Sequence, residues 1–496
     1  MSVLAWIVAT PLLGAVLIAL ARRPFTRDLT LLLIALATLA QVLPLISPVL
    51  AGERPAVTLA TVMPGIDITL SVEPLGLIFA LVASILWVVA SLYAIGYVRA
   101  NALPAPKRFH ACFALAIGAA LGVALADNLF TLFLFYETLT LTTYPLVTHG
   151  GSPEAVRAGR VYLGILLSTS IGLFLLGIVW VFSLTGRLDF VPGGLLNGVI
   201  EGPALAVLLG LFVFGIGKAA LMPVHRWLPA AMVAPAPVSA LLHAVAVVKA
   251  GVFTVLKVIV YTFGPDLLAN TPAAHWLMYV AGFSVIAASL IAWRQDNLKA
   301  RLAYSTISQL AYIVLGASLF VPAALTGAAV HLVAHAFAKI TLFFAAGAIT
   351  TATGMTRVSQ MNGLGRRLPW TMAFFSIAAL SMIGVPPTAG FVSKWLLLGG
   401  AFDAQAWVAV GVLILSTVLN AAYFLPIVHA AWFRPPSADP PDDDSHEAHG
   451  AHAHGAVSRT GEAPFLLLLA MGLSTLGVGA LFVWPDLPVA LARSLP

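Results

Sequence analysis

The chain has 496 residues, a formal net charge of +6, 60% hydrophobic residues and only 9% charged ones. A soluble domain carries about 25% charged residues, so this composition excludes a chain that could cover itself with polar surface in water. The single cysteine, Cys112, excludes a disulfide framework and any cysteine-ligated zinc or iron–sulfur centre. Basic residues scattered singly between apolar runs also speak against a nucleic-acid partner.

Repeated apolar runs of roughly 20 residues predict an all-α integral membrane protein of about fourteen transmembrane helices. In chain order these fall near 3–21, 28–50, 75–98, 110–126, 128–148, 159–183, 204–233, 236–262, 275–293, 299–320, 322–350, 370–400, 405–432 and 463–484. The first run lacks a positive leading segment and is long for a signal peptide, so it is read as a retained helix. Seventeen Lys/Arg residues fall in or near the loops after odd-numbered helices and only three, Arg54, Arg187 and Arg493, in the others. This asymmetry predicts cytoplasmic odd loops and both termini on the outer side of a bacterial inner membrane. The segment 433–462 is polar and proline-rich, with histidines at 446, 449, 452 and 454. It is read as a disordered, solvated linker in preference to a metal-binding tract.

Ionisable residues at bilayer depth are costly and mark functional positions. Inside the predicted helices these are Glu137, Lys218, Lys249, Lys257, Lys339 and Lys394, joined by His243, His331 and His335. Glu137, in LFLFYETLTLTTYPLV, is the one carboxylate deep within a helix. It is either a structural salt bridge to a neighbouring helix or a carboxylate that tunes a nearby lysine. Lys218 is its natural partner. Lys257 lies near a helix end, where it can snorkel to the surface.

Proline removes a backbone donor and breaks a helix, and broken backbone at membrane depth survives only in protein or beside a wet cavity. Pro223 and Pro229 follow Lys218, so the seventh helix is expected to break just after that lysine. Pro386 and Pro387 precede Lys394 and break the twelfth. Paired interrupted helices point to transport sites, and their five-helix offset implies an inverted repeat. In HLVAHAFAKITLF, His331, His335 and Lys339 recur at i, i+4 and share one helix face. A proton relay fits them better than zinc, because no third ligand of the HExxH type is present. No nucleotide-binding or dinucleotide fingerprint occurs, and no cofactor or metal is expected.

The motifs YETLTLTTYPLV, GKAALMPVHRWLP, LLHAVAVVKAG, DNLKARLAYSTISQLAYI, HLVAHAFAK and GVPPTAGFVSKW resemble the antiporter-like family. That family comprises the large proton-pumping subunits of respiratory complex I, the A and D subunits of Mrp cation/proton antiporters, and hydrogenase counterparts. The resemblance covers roughly residues 75–430. It implies fourteen helices with inverted repeats at helices 4–8 and 9–13, that is 99–262 and 275–432, flanked by 1–98 and 463–496. Glu137 and Lys218 then correspond to a Glu–Lys pair, Lys249 leads to the centre, Lys299 is the central lysine, His331 and His335 are relay histidines, and Lys394 ends the second half-channel. The Trp-Leu-Pro segment and the YETLTLTTYPLV stretch look most like Mrp D-type subunits and membrane-bound hydrogenase relatives. The sequence ends soon after helix 14, without the lateral helix of one complex I subunit or the extra helices of Mrp A subunits. The first expectation is therefore a D-type subunit of a multi-subunit cation/proton antiporter, partnered by other membrane subunits. The second is an energy-coupling subunit of a quinone-reducing, hydrogenase or inorganic-carbon-accumulating complex. Either would move protons, and whether sodium or potassium moves as well stays open.

Overall fold

A computed structural model of the chain describes residues 2–436 and 461–496. Most of the linker expected at 433–462 lies outside the described residues. The described helices are α1 (Val3–Leu20), α2 (Pro24–Leu50), α3 (Pro74–Ala100), α4 (Pro106–Ala124), α5 (Leu129–Val147) and α6 (Pro153–Thr185). The broken region follows, with α7 (Gly202–Gly215) and the short α8 (Trp227–Ala230). Then come α9 (Ala236–Phe263), α10 (Pro272–Arg294), α11 (Leu298–Ala317) and α12 (Pro322–Thr353). The chain closes with α13 (Pro369–Ile383), α14 (Ala389–Asp403), α15 (Trp407–Phe433), α16 (Phe465–Val483) and α17 (Asp486–Arg493). Ten of the described helical stretches are long and apolar enough to cross a membrane.

The fold departs from a purely helical reading at one place. Residues Ala56–Met63 (β1) and Ile66–Ser71 (β2) form an antiparallel hairpin. Pro64 and Gly65 make the turn, with Gly65 at φ +82°, the conformation that a turn with proline followed by glycine requires. The alternating β-branched residues of VTLATVM and IDITLS carried that signal. The hairpin leads into α3 through Glu73, whose carboxylate caps the helix by accepting from the amides of Leu75 and Gly76.

Loops sort into two ends by their hydrogen bonds. At the hairpin end, the Ser71 amide donates to Leu125, the Phe190 amide to Asp127 and the Leu196 amide to Thr262. At the opposite end, Asn101 bonds Thr351, His149 bonds the Pro104 carbonyl and the Val358 amide donates to Asp296.

Two helices are enclosed by protein. The most apolar 18-residue windows of α9 and α12 are 100% buried, against 33% in α2. These two carry His243, Lys249, Lys257, His331, His335 and Lys339, so the cost of an ionisable group in hydrocarbon is avoided by giving these helices no lipid face. Their hydropathy resembles that of the lipid-facing helices, which is why sequence alone does not separate the two kinds.

Both breaks are closely packed. The seventh helix stops at Gly215, and Lys218 lies within the break, in a 3-10 turn at Gly217–Ala219. This corrects the expectation of a break just after Lys218. Pro223 lies in the gap, whereas Pro229 is the third residue of α8 and does not make the break. In the later break, Pro386 and Pro387 lie between α13 and α14. A Cβ on Gly251 of α9 would sit 2.2 Å from the Ala219 amide nitrogen, and one on Gly390 1.7 Å from the Ser381 carbonyl oxygen. Only glycine lets α9 approach the Lys218 turn. Gly251→Val is therefore expected to destabilise the protein by about 3 kcal/mol or more through overpacking. A fall in the detergent-solubilised melting temperature measures it, and an unchanged value would contradict the close approach.

Candidate ion path

The Lys218 ammonium is held by α5. It donates to the Tyr136 carbonyl at 2.8 Å and to Thr140 Oγ1 at 2.6 Å. It also lies 3.2 Å from the centroid of the Tyr136 ring, a cation–π contact. Tyr136 returns a second bond, because its hydroxyl accepts from the Lys218 amide at 3.1 Å. Trp227 Nε1 donates to the Gly217 carbonyl at 2.9 Å. Backbone groups freed by the break are thus re-paired by side chains, as membrane depth demands.

Glu137 is adjacent to Tyr136, yet it makes no ion pair with Lys218. Both its carboxylate oxygens are buried and have no hydrogen-bond partner. Lys218 is thus held by carbonyl and hydroxyl oxygens, with no direct contact to the Glu137 carboxylate.

Toward the middle of the molecule, Lys249 Nζ and His335 Nδ1 are 2.5 Å apart and join α9 to α12. One turn earlier on α12, His331 lies 6.1 Å from His335 between ring centroids. His331 Nδ1 is 2.9 Å from Ser393 Oγ on α14. Ser393 adjoins Lys394, whose ammonium donates to the Met382 and Ile383 carbonyls, each at 2.9 Å. Lys394 thereby caps the C-terminal end of α13, where unpaired carbonyls favour a cation. The ring nitrogens Nε2 of His331 and of His335 have no protein partner.

Lys339 Nζ donates to Ser305 Oγ at 2.9 Å and to the Leu302 carbonyl at 3.3 Å. Ser305 in turn accepts from the Tyr423 hydroxyl at 3.0 Å, and that hydroxyl also contacts Asn420 Oδ1. His243 sits in a π-helical turn at Leu241–Val245, its ring 4.6 Å from Phe343. Neither of its ring nitrogens has a hydrogen-bond partner. Such turns often mark functional positions.

Lys299 occupies the first turn of α11 and donates to the Met232 and Ala234 carbonyls, each at 2.8 Å. This is the end opposite the hairpin, so Lys299 lies nearer a membrane edge than the centre.

Lys257 does not snorkel. It is buried against Glu73, 3.2 Å away. Sequence reasoning missed Glu73, because an acid before a proline in a loop looks like an ordinary cap. It also missed Tyr136, Thr140, Ser305, Ser393 and Tyr423, whose hydroxyls hold or link the charged groups. Hydroxyls on apolar helices commonly bond their own backbone and give no distinct signal.

A family model described as "NADH:quinone oxidoreductase/Mrp antiporter, TM" matches residues 126–420. The N subunit of the NADH-quinone oxidoreductase of Desulforudis audaxviator is 36% identical over 418 residues, which cover 83% of this chain and 82% of that one. The D-type subunit of the Na(+)/H(+) antiporter of Alkalihalophilus pseudofirmus is 30% identical over 316 residues, covering 63% of each. A chain in the solved structure of the Mrp complex from Dietzia sp. DQ12-45-1b superposes with a TM-score of 0.85 at 25% identity, over 99% of this chain and 97% of that one. The broken helices, the enclosed α9 and α12 and the matched span of more than half the sequence lead to one conclusion: this multi-pass membrane protein belongs to the NADH:quinone oxidoreductase/Mrp antiporter family.

Proposed function

We propose that the chain is the proton-translocating subunit of a multi-subunit membrane assembly, most closely a D-type subunit of an Mrp cation/proton antiporter. The observation that carries it is the row Lys249–His335–His331–Ser393–Lys394, which links α9 to the second broken helix through buried, titratable groups. The superposition on a chain of the Mrp complex supports the antiporter reading. The 36% identity to an N subunit of NADH-quinone oxidoreductase favours a second reading, an energy-coupling subunit of a quinone-reducing complex.

In this reading fourteen crossings result from the ten long apolar stretches, α5, α11 and the two broken helices. Residues 99–262 and 275–432 are the two inverted repeats. Lys218 serves the first and Lys394 the second, and Lys249 with the α12 histidines joins them. The Lys/Arg excess favours the hairpin end and both termini outside, with Lys299 toward the cytoplasmic side. Unpartnered nitrogens on His243, His331 and His335 leave hydrogen-bonding capacity that water can fill, which a proton wire needs.

Ion fluxes of the whole assembly in vesicles test the assignment. Exchange of sodium or potassium against protons supports the antiporter reading. Proton pumping that starts only with quinone reduction supports the second. Absence of any proton movement overturns both.

Glu137 acts here on the charge of Lys218 without touching it. At an effective dielectric near 20, charges beyond 4 Å still interact by a few kcal/mol. Glu137→Gln, which keeps shape and removes charge, is expected to slow proton transfer by about tenfold or more. A rate equal to wild type would reduce Glu137 to a packing residue.

A further inference from the structure

The Glu73–Lys257 pair stands apart from the row just described. Glu73 Oε2 accepts from the Leu75 amide at 2.7 Å and from the Tyr261 hydroxyl at 2.9 Å. Oε1 accepts from the Gly76 amide at 2.8 Å and faces Lys257 Nζ at 3.2 Å. A carboxylate offers about four acceptor sites, so all of them are filled. The Lys257 ammonium donates to the Ala126 carbonyl at 2.7 Å, and the Phe190 and Phe253 rings lie 4.7 and 5.4 Å away. Glu73, the Ala126 carbonyl and aromatic carbon thus surround it. Neither partner has a free site at which to accept or hand on a proton.

The position of the pair gives this saturation a consequence. Lys257 follows Lys249 by eight residues on α9, about 12 Å along the axis. Halfway between them is Phe253, whose ring lies 5.0 Å from that of Phe79 on α3. Beyond the pair lie Asp127, bonded to Ser71 at 2.7 Å, and Arg54, 5.5 Å over the Tyr261 ring. The side chain of Asp127 is partly open to the surface at the hairpin end. A line of polar groups would therefore run from Lys249 to the hairpin end, were it not interrupted by an aromatic layer and a closed ion pair.

We propose that Glu73 and Lys257 form a fixed seal, which with Phe253 and Phe79 stops protons on Lys249 from escaping along α9 to the hairpin end. This rests on the proposed proton row. Glu73 and Lys257 are positioning residues, outside the transfer sequence. A row with an open side branch would dissipate the gradient that the second broken helix is meant to couple. The pair leaves Lys249 without a route to the hairpin end.

The test uses the whole assembly in vesicles, with passive decay of an imposed pH gradient measured in the absence of any driving ion or reaction. Glu73→Gln and Lys257→Met should each raise the leak at least about threefold. Adding Lys249→Ala to either should return the leak to the wild-type level. A wild-type leak in assembled Glu73→Gln and Lys257→Met overturns the seal. So does a raised leak that persists without Lys249, which indicates general loosening. Loss of forward transport without leak would make the pair part of the path and also overturns it. Failure of both variants to assemble would assign the pair to folding alone and overturn it too. Lys249→Ala by itself tests the row: normal transport there refutes the row, whereas loss of transport there combined with no leak in the seal variants refutes only the seal.

Discussion

Lys218→Ala is expected to abolish ion translocation while the chain still inserts and assembles. The ammonium is held by the Tyr136 carbonyl, Thr140 Oγ1 and the Tyr136 ring, and alanine leaves all three without a cation. Loss of a positioned proton carrier costs at least about 100-fold in rate. Lys218→Arg sharpens the test. A guanidinium keeps the charge, the donors and the ring contact, but it does not release its proton at physiological pH. If Lys218 carries protons, both variants are inactive in vesicles. If Lys218 only anchors the break, arginine restores most of the transport, and the carrier role fails.

The second large effect is expected at Lys249. Its ammonium and His335 Nδ1 form the one direct link in the row between α9 and α12. Lys249→Ala leaves the ring nitrogen facing a gap and separates the first broken helix from the histidines. Transport is expected to fall by about 100-fold or more, again the scale of a lost proton carrier. The reciprocal change His335→Ala should produce a similar loss, and the double variant should be no worse than either single one, since both interrupt the same step. Additive losses would mean that protons reach α12 by separate routes.

Much of this was legible in the sequence, for a physical reason. Hydrocarbon makes each buried charge and each interior proline expensive, so such residues persist only where the fold uses them. Lys218, Lys249, Lys339, Lys394 and the α12 histidines therefore stand out from apolar surroundings without any structure. The i, i+4 spacing also fixed His331, His335 and Lys339 to one helix face. Glu73 did not stand out. It precedes Pro74 outside the apolar run, and its partner Lys257 lies 184 positions later. The two meet only because β1 and β2 return the chain to the start of α3 beside the end of α9.

By itself the sequence determined that the chain is a membrane protein, that charge divides its loops into two sets, and that two helices break near a lysine. Only the tertiary structure decided which helices are shielded from lipid, since enclosed and lipid-facing helices are equally apolar. It also decided what each charge touches. Lys218 binds oxygens of α5 in place of the Glu137 carboxylate, Lys299 sits toward an edge, and Lys257 is locked to Glu73. Hydropathy records the cost of burying a group, whereas the partner that offsets this cost is chosen by contacts between helices far apart in the chain.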